Sequence, residues 1–329
     1  MTTVATSAKE YLSTVALARS GNTARTYRQA IQAFLRVLEG QGIAPDRLQA
    51  QRASEDWIRW FLDSLKAFSP ATERLYLTAV SGWYEYLAAE GLAEVNLARL
   101  RLLIRRRARR PGQRLPQFPR TAIEQVLQHA ETLAAGLLKD DAQRLRALRD
   151  RAFLLTLADT GLRVHEACRL RRGDIDWPEA QALLIGKGDR QAVVRFSQRS
   201  LQALRAYLRA RNARDGASGR ALSALPVFAR HDRGAGRKVA PITTTTGRVI
   251  VHQRVREALG PEAVGTVTPH SFRHFFVTTV LRGSGGNLKL AQELARHRNI
   301  SVTQRYAHLS DDELDRGYHE IFDTKSDLG

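Results

Sequence analysis

Residues 160–166 of the chain read Thr-Gly-Leu-Arg-Val-His-Glu. An apolar helical pattern over about 142–160 stops at Gly161, and a new helix start is expected beside Arg163. Glu166 follows Arg163 by one helical turn, where its carboxylate can orient the guanidinium. An arginine at a helix start is often simply solvated, so the segment gains meaning from what lies further out. Lys187 stands in Ile-Gly-Lys-Gly-Asp-Arg (185–190), and His270 and Arg273 stand in His-Ser-Phe-Arg-His (270–274). His297 precedes Tyr306 by nine positions in His-Arg-Asn-Ile-Ser-Val-Thr-Gln-Arg-Tyr-Ala-His (297–308).

These residue types supply what cleavage of a phosphodiester requires. The reaction needs a nucleophile, charge stabilisation on the non-bridging oxygens and a proton for the departing oxygen. A tyrosine can attack and keep the bond energy in a phosphotyrosyl ester. Two forked guanidiniums suit the non-bridging oxygens, and a lysine can protonate the leaving oxygen. A histidine can trade a proton near neutral pH.

The chain resembles the tyrosine recombinases, or phage-type integrases, over most of its length. Thr160 to Glu166, Gly186 to Gly188, His270 with Arg273, and His297 with Tyr306 carry the resemblance. It implies Tyr306 as nucleophile, Arg163 and Arg273 as phosphate clamps, and Lys187 as general acid. His270 is implied as acid or base, and His297 as a phosphate donor. It also implies inverted half-sites on double-stranded DNA, two domains closing as a C-shaped clamp, and a homotetramer on paired sites. Strands would exchange through a 3′-phosphotyrosyl link and a four-way junction, with no ATP, metal or other cofactor. One departure stands out. Members commonly carry leucine and glycine before the second histidine, whereas this chain has Ala295 and Arg296, which predicts an altered local backbone or a further phosphate contact.

Composition agrees with a nucleic-acid partner. The 329 residues carry 52 Lys and Arg against 33 Asp and Glu, and both parts of the chain are basic: 18 against 10 through residue 115, and 34 against 23 beyond it. Binding through such charge weakens steeply with salt. An arginine-favouring coding bias is the competing source of the excess. The single cysteine, Cys168, excludes an internal disulfide and a cysteine-rich metal site. No apolar run approaches ~18 residues and no leader pattern opens the chain, so no membrane partner is expected and the cytoplasm is the default location.

The expected fold is mainly α: a helical N-terminal core-binding, SAM-like domain and a mixed α+β catalytic domain with a small antiparallel sheet. Helical spacing runs over 5–18, 22–39, 54–66, 70–90 and about 94–107, with Asn22 and Ser69 as caps and Pro70 at a first helical position. Trp57, Trp60, Phe61, Trp83, Tyr84 and Tyr86 sit at helical spacing and read as core rather than base-stacking residues. The domains expected are 1–104, a basic linker at 105–118, 119–310, and a tail at 311–329 that packs on a neighbouring protomer or folds back on its own. Arg105, Arg106, Arg107, Arg109 and Arg110 make the linker a candidate to cross the DNA backbone, and Arg25, Arg28 and Arg74 are further candidates for DNA contact. Helices are expected at about 120–135 and 142–160, then short strands at 174–177, 182–185 and 192–196 with Lys187 at a turn. Residues 215–246 read as irregular, with a buried patch at Pro226, Val227 and Phe228. Helices resume at 247–259, 270–283, 287–297, 300–306 and 311–321.

Each candidate has a plainer role open to it: Lys187 as a solvated hairpin residue, His270 as a packing or capping residue, His297 as a helix end, Tyr306 as packing surface. His274, adjacent to Arg273, is expected on another face of the helix from it, with a structural role. A type IB topoisomerase would share the nucleophile and clamp, and a non-catalytic DNA-binding relative would share the composition. No carboxylate cluster suits a two-metal nuclease. Target sequence, accessory proteins and the element served are not written in the chain.

Overall fold

The computed structural model describes residues 2–109, 120–136, 140–185, 191–232, 234, 239–297 and 299–304. It divides into two compact units, Met1–Gln113 and Arg114–Gly329.

The first unit is helical. Helices α1 (Val4–Ala18), α2 (Gly21–Gly40), α3 (Trp57–Ser64), α4 (Pro70–Ala89) and α5 (Leu97–Arg107) surround one apolar core. Ile31, Phe34 and Leu38 of α2 recur at helical spacing and meet Ile58, Phe61 and Leu62 of α3 and Val80, Trp83 and Tyr84 of α4. Phe34 lies edge-on to Phe61 with ring centres 5.3 Å apart. Complete burial of each such side chain contributes about 1.5–3 kcal/mol. Buried aromatic heteroatoms here find partners: Trp83 Nε1 donates to Ser7 Oγ at 3.2 Å, the Tyr84 hydroxyl to the Ser54 carbonyl at 2.7 Å and the Tyr11 hydroxyl to the Ala79 carbonyl at 3.1 Å. Trp60 departs from the expected core role: it is 36% exposed, because it sits one residue before Phe61 and so faces away from the core. Ser69 caps α4 as expected, with Pro70 in its first turn. Asn22 does not cap α2. That cap is Ser20, whose Oγ accepts from the Thr23 N–H at 3.3 Å. Residues 54–56 precede α3 rather than forming its first turn. Asn96 caps α5 through the Arg99 N–H.

Arg105, Arg106 and Arg107 complete the last turn of α5, within the helical spacing expected to about residue 107, where cations complement the helix C-terminus. Arg109 then folds back. Its Nε donates to Glu73 Oε2 at 2.6 Å, its backbone N–H to Oε1 at 2.9 Å, and its NH2 to the Leu65 and Phe68 carbonyls. The Glu73 side chain is fully buried, and Lys66 is its second cation at 3.1 Å.

The second unit is built around α7 (Asp141–Thr160), whose residues 152–158 are all buried. Such a helix can exist only inside other helices. Around it lie α6 (Arg120–Ala135), α8 (Val164–Arg169), α9 (Gln198–Ala210), α11 (Thr244–Leu259) and α12 (Pro269–Gly283), with the short α10 (Asn212–Gly216) after α9. Helices α13 (Leu288–Ala295) and α14 (Ile300–Gln304) extend from α12. The sheet has β1 (Ile175–Asp176), β2 (Gln181–Ile185) and β3 (Gln191–Arg195) in the order β1-β2-β3, all antiparallel. Helix α9 was absent from the sequence-based expectation. Residues 215–246 are less irregular than expected: Val227, Phe228 and Ala229 are buried, backbone bonds tie Val227 to Leu170 and Ile242 to Phe228, and α11 begins at Thr244 under a Thr243 cap. Cys168 is a buried core thiol, pushed up to about 11 by burial.

Candidate active site

Gly161 ends α7 with φ 60° and ψ 21°, the left-handed corner that glycine enters freely. The chain then reverses into Arg163, the N-cap residue of α8, which puts its side chain at the open end of that helix, 46% exposed. Glu166, one turn on, accepts from the Arg163 backbone N–H at 2.8 Å and from Arg163 NH1 at 3.0 Å. Burial pushes the Glu166 carboxyl up, but the Arg163 N–H and the positive charges of Arg296 and Arg163 outweigh it and hold the pKa below the usual carboxylate range. Glu166 is thus an anion at neutral pH and able to orient Arg163.

Arg273 arrives from α12. It is 2% exposed, and its NH1 donates to the Gly161 carbonyl and its NH2 to the Ala295 carbonyl. One guanidinium therefore joins the turn that carries Arg163 to the corner that carries His297. His270 lies in the first turn of α12, its ring edge-to-face with His274 at 4.3 Å between centres. His274, expected on a different face from Arg273 and in a structural role, is four residues on from His270, which on a helix is the same face, so it backs His270. His297 follows α13 rather than belonging to its last turn. Its Nδ1 lies 2.9 Å from Oγ1 of the buried Thr303 on α14, and its backbone N–H donates to the Gln292 carbonyl. Thr303 escaped sequence reasoning; it stands six residues beyond His297, a separation with no helical signature.

Desolvation comes first and the neighbouring guanidiniums add to it in lowering two of these histidines: His297 to about 4, next to Arg273 and Arg163, and His270 below its ordinary value, next to the same two arginines. For His274, brought to about 4, burial is followed by the charges of His270 and Arg273. Without a bound anion the imidazoles are neutral at pH 7, and the local charge is positive.

Lys187 and Tyr306 lie outside the described residues, as do Arg110 and the tail. What is described sets their attachment points. Strands β2 and β3 are in register with Ile185 opposite Gln191, so residues 186–190, which carry Lys187, connect paired strand ends. Tyr306 lies two residues beyond Gln304, the end of α14. Among the described residues no group of three His, Cys, Asp or Glu side chains is placed to hold a metal ion.

In the first unit Arg25 and Arg28 are exposed on α2, Arg74 on α4, and Arg105 to Arg107 on α5. Arg74 and Arg105 line one groove with Thr78, Ser81 and Gly82. Arg109 lines it too, but spends its hydrogen bonds on Glu73 and two carbonyls.

Residues 120–313 match the phage integrase family and residues 8–91 the N-terminal SAM-like domain of phage integrases. The chain is 32% identical to tyrosine recombinase XerD of Mycobacterium tuberculosis, covering 93% of this chain and 94% of that protein. It is 29% identical to tyrosine recombinase XerC of Pediococcus pentosaceus, covering 97% of each. In fold it is similar to the XerH site-specific recombinase bound to its difH substrate (TM-score 0.65, 18% identity, 90% of this chain and 78% of that one). It is similar also to a lambda integrase dimer bound to a core site (TM-score 0.62, 17% identity, 93% and 95%). The protein belongs to the phage integrase family of tyrosine recombinases, the enzymes of site-specific DNA recombination.

Proposed function

We propose that Tyr306 is the nucleophile of strand cleavage and that Arg163 and Arg273 hold the scissile phosphate, with His270 and His297 beside it. The observation that supports this most is the Arg273 bridge, which draws together the separate segments bearing Arg163, His270 and His297. The Tyr306 oxygen attacks phosphorus, and the bond to the 5′ oxygen breaks. Lys187 supplies the proton to that oxygen, and His270 takes the tyrosine proton. A 3′-phosphotyrosyl ester and a free 5′-hydroxyl result. The hydroxyl of a partner duplex then attacks the ester, restores the tyrosine, and builds a four-way junction. Each step exchanges one phosphodiester for another, so no ATP is consumed.

The partner is double-stranded DNA with inverted half-sites, one protomer on each, and four protomers on a pair of sites, in the cytoplasm. Residues 1–104 and 119–310 act as core-binding and catalytic domains joined at 105–118, and residues 311–329 pack on a neighbouring protomer. Arg25, Arg28, Arg74 and the arginines from 105 to 110 other than Arg109 face the phosphate backbone. The test is a supercoiled plasmid carrying two copies of DNA from beside the protein's own gene, in EDTA without ATP. Site-dependent deletion or inversion is expected. Relaxation of any plasmid, irrespective of sequence, would identify topoisomerase action instead. Removing residues beyond Ser310 is expected to leave DNA binding intact and abolish recombination; unchanged recombination would exclude packing of the tail on a neighbour.

A further inference from the structure

Arg296 holds a backbone conformation that side-chain-bearing residues rarely enter, with φ 57° and ψ 45°. It is the C-cap of α13 and the residue before His297, so the path of the chain into His297 depends on it. Its guanidinium is nearly buried, 13% exposed. NH2 donates to Glu166 Oε2 at 3.1 Å and reaches the Gly161 carbonyl at 3.5 Å, while the buried NH1 has no hydrogen-bond partner among the described residues. Strain and the burial of a guanidinium at one residue are costs that persist where a site needs them.

The carboxylate it meets is the one that orients Arg163. Glu166 Oε1 receives Arg163 NH1, and Oε2 receives both the Arg163 backbone N–H and Arg296 NH2. Paired with Arg163 alone, Glu166 would cancel that arginine's charge. Shared between two guanidiniums, it leaves the trio with a net positive charge, and Arg163 stays half exposed with charge to offer an anion. Arg273 fixes the same corner from the other side through the Ala295 carbonyl.

We propose that Arg296 is a positioning residue for strand cleavage, acting through Glu166 on the aim and effective charge of Arg163 and through its own backbone on the placement of His297. This rests on the cleavage reading of Tyr306 and Arg163 above. It assigns to Arg296 an indirect role, without contact to the reacting phosphate.

Arg296→Gly is the informative variant, because glycine adopts the corner without strain and the melting temperature reports whether the fold is kept. Wild type, Tyr306→Phe, Arg296→Gly, Arg296→Lys, Glu166→Gln and the Arg296→Gly/Glu166→Gln pair are compared on a nicked duplex at saturating protein. The single-turnover rate of covalent adduct formation, DNA affinity at several salt concentrations and melting temperature are measured. Arg296→Gly is expected to slow adduct formation about tenfold at unchanged affinity, since small misplacement of a catalytic group costs rate rather than binding. Arg296→Lys keeps the charge but loses the fork, and is expected to recover only part of that rate. On the Glu166→Gln background Arg296→Gly is expected to add nothing. A rate for Arg296→Gly equal to wild type overturns the proposal. So does weaker binding with a salt slope reduced by about one, which would make Arg296 a direct phosphate contact. Absence of adduct with wild type itself would instead count against the cleavage reading.

Discussion

Replacing Gly161 with alanine strikes the turn on which the site is assembled, and the structure sets the size of the effect. The residue sits at φ 60°, where a Cβ costs about 1–2 kcal/mol. That Cβ would also stand 2.4 Å from Cδ1 and 2.9 Å from Cε1 and Cγ of Phe276. The Phe276 ring packs against the cluster of Val277, Leu281, Ala291 and Ala295, so it cannot swing aside without moving α12 against α13. Overpacking of this kind adds about 1–3 kcal/mol. The sum is about 3 kcal/mol, which for a unit of this size lowers the melting temperature by roughly 6–12 °C. Gly285→Ala is the matched control, in the same unit with φ 60° and no atom within 4 Å of the added carbon, and it should show only the backbone part, about 1 kcal/mol. Calorimetry of both variants checks the reasoning. Because the Gly161 carbonyl accepts from Arg273, Gly161→Ala should also slow strand cleavage. A Gly161→Ala protein that melts with wild type, or no lower than the Gly285→Ala control, would refute the packing argument.

Arg109→Ala leaves the buried Glu73 with Lys66 as its remaining cation and is expected to cost about 2 kcal/mol in urea unfolding, discounted from the fully buried case because Arg109 is partly exposed. Arg105→Ala should cost almost nothing, and a reversed order would place Arg109 on DNA rather than in the fold. His231, 5% exposed and bonded to the Tyr207 hydroxyl at 2.7 Å, is brought down to about 3 by burial and by the charges of Arg149 and Arg211. It therefore stays neutral in the folded chain, while the unfolded chain takes up a proton below pH ~6.5, so stability is present above that pH and lost as pH falls toward 3. Between pH 7.5 and 5 the loss from this residue is about 2 kcal/mol. His231→Gln should show a pH dependence weaker by that amount; identical dependence in the two proteins would contradict the assignment.

The helices of the first unit were legible because apolar residues such as Ile31, Phe34 and Leu38 repeat with the helix period, and a period survives without knowledge of partners. Helix α9 carried the same signal in Leu201, Leu204 and Leu208 behind Ser197, and was passed over amid arginines. The residue types of the candidate site were legible from short motifs. The bonds that join them were not. Arg273 reaches a carbonyl 112 residues away in sequence, and Arg109 a carboxylate 36 residues away that the core leaves no room to solvate. Charge alone made Arg109 resemble its neighbours. For Arg296 the sequence offered an altered backbone or a further phosphate contact, but not its hold on Glu166, which depends on the left-handed corner that turns α13 back toward Gly161.

Strand cleavage as proposed joins a tyrosine of this chain covalently to DNA. Wild-type protein and Tyr306→Phe are mixed in EDTA with labelled, nicked duplexes taken from sequences flanking the protein's own gene, and SDS-resistant adducts are digested and sequenced by mass spectrometry. The account predicts an adduct with wild type alone, attached through Tyr306 to a 3′-phosphate. Tight binding of that DNA with no adduct, or an adduct that persists in Tyr306→Phe, would contradict it.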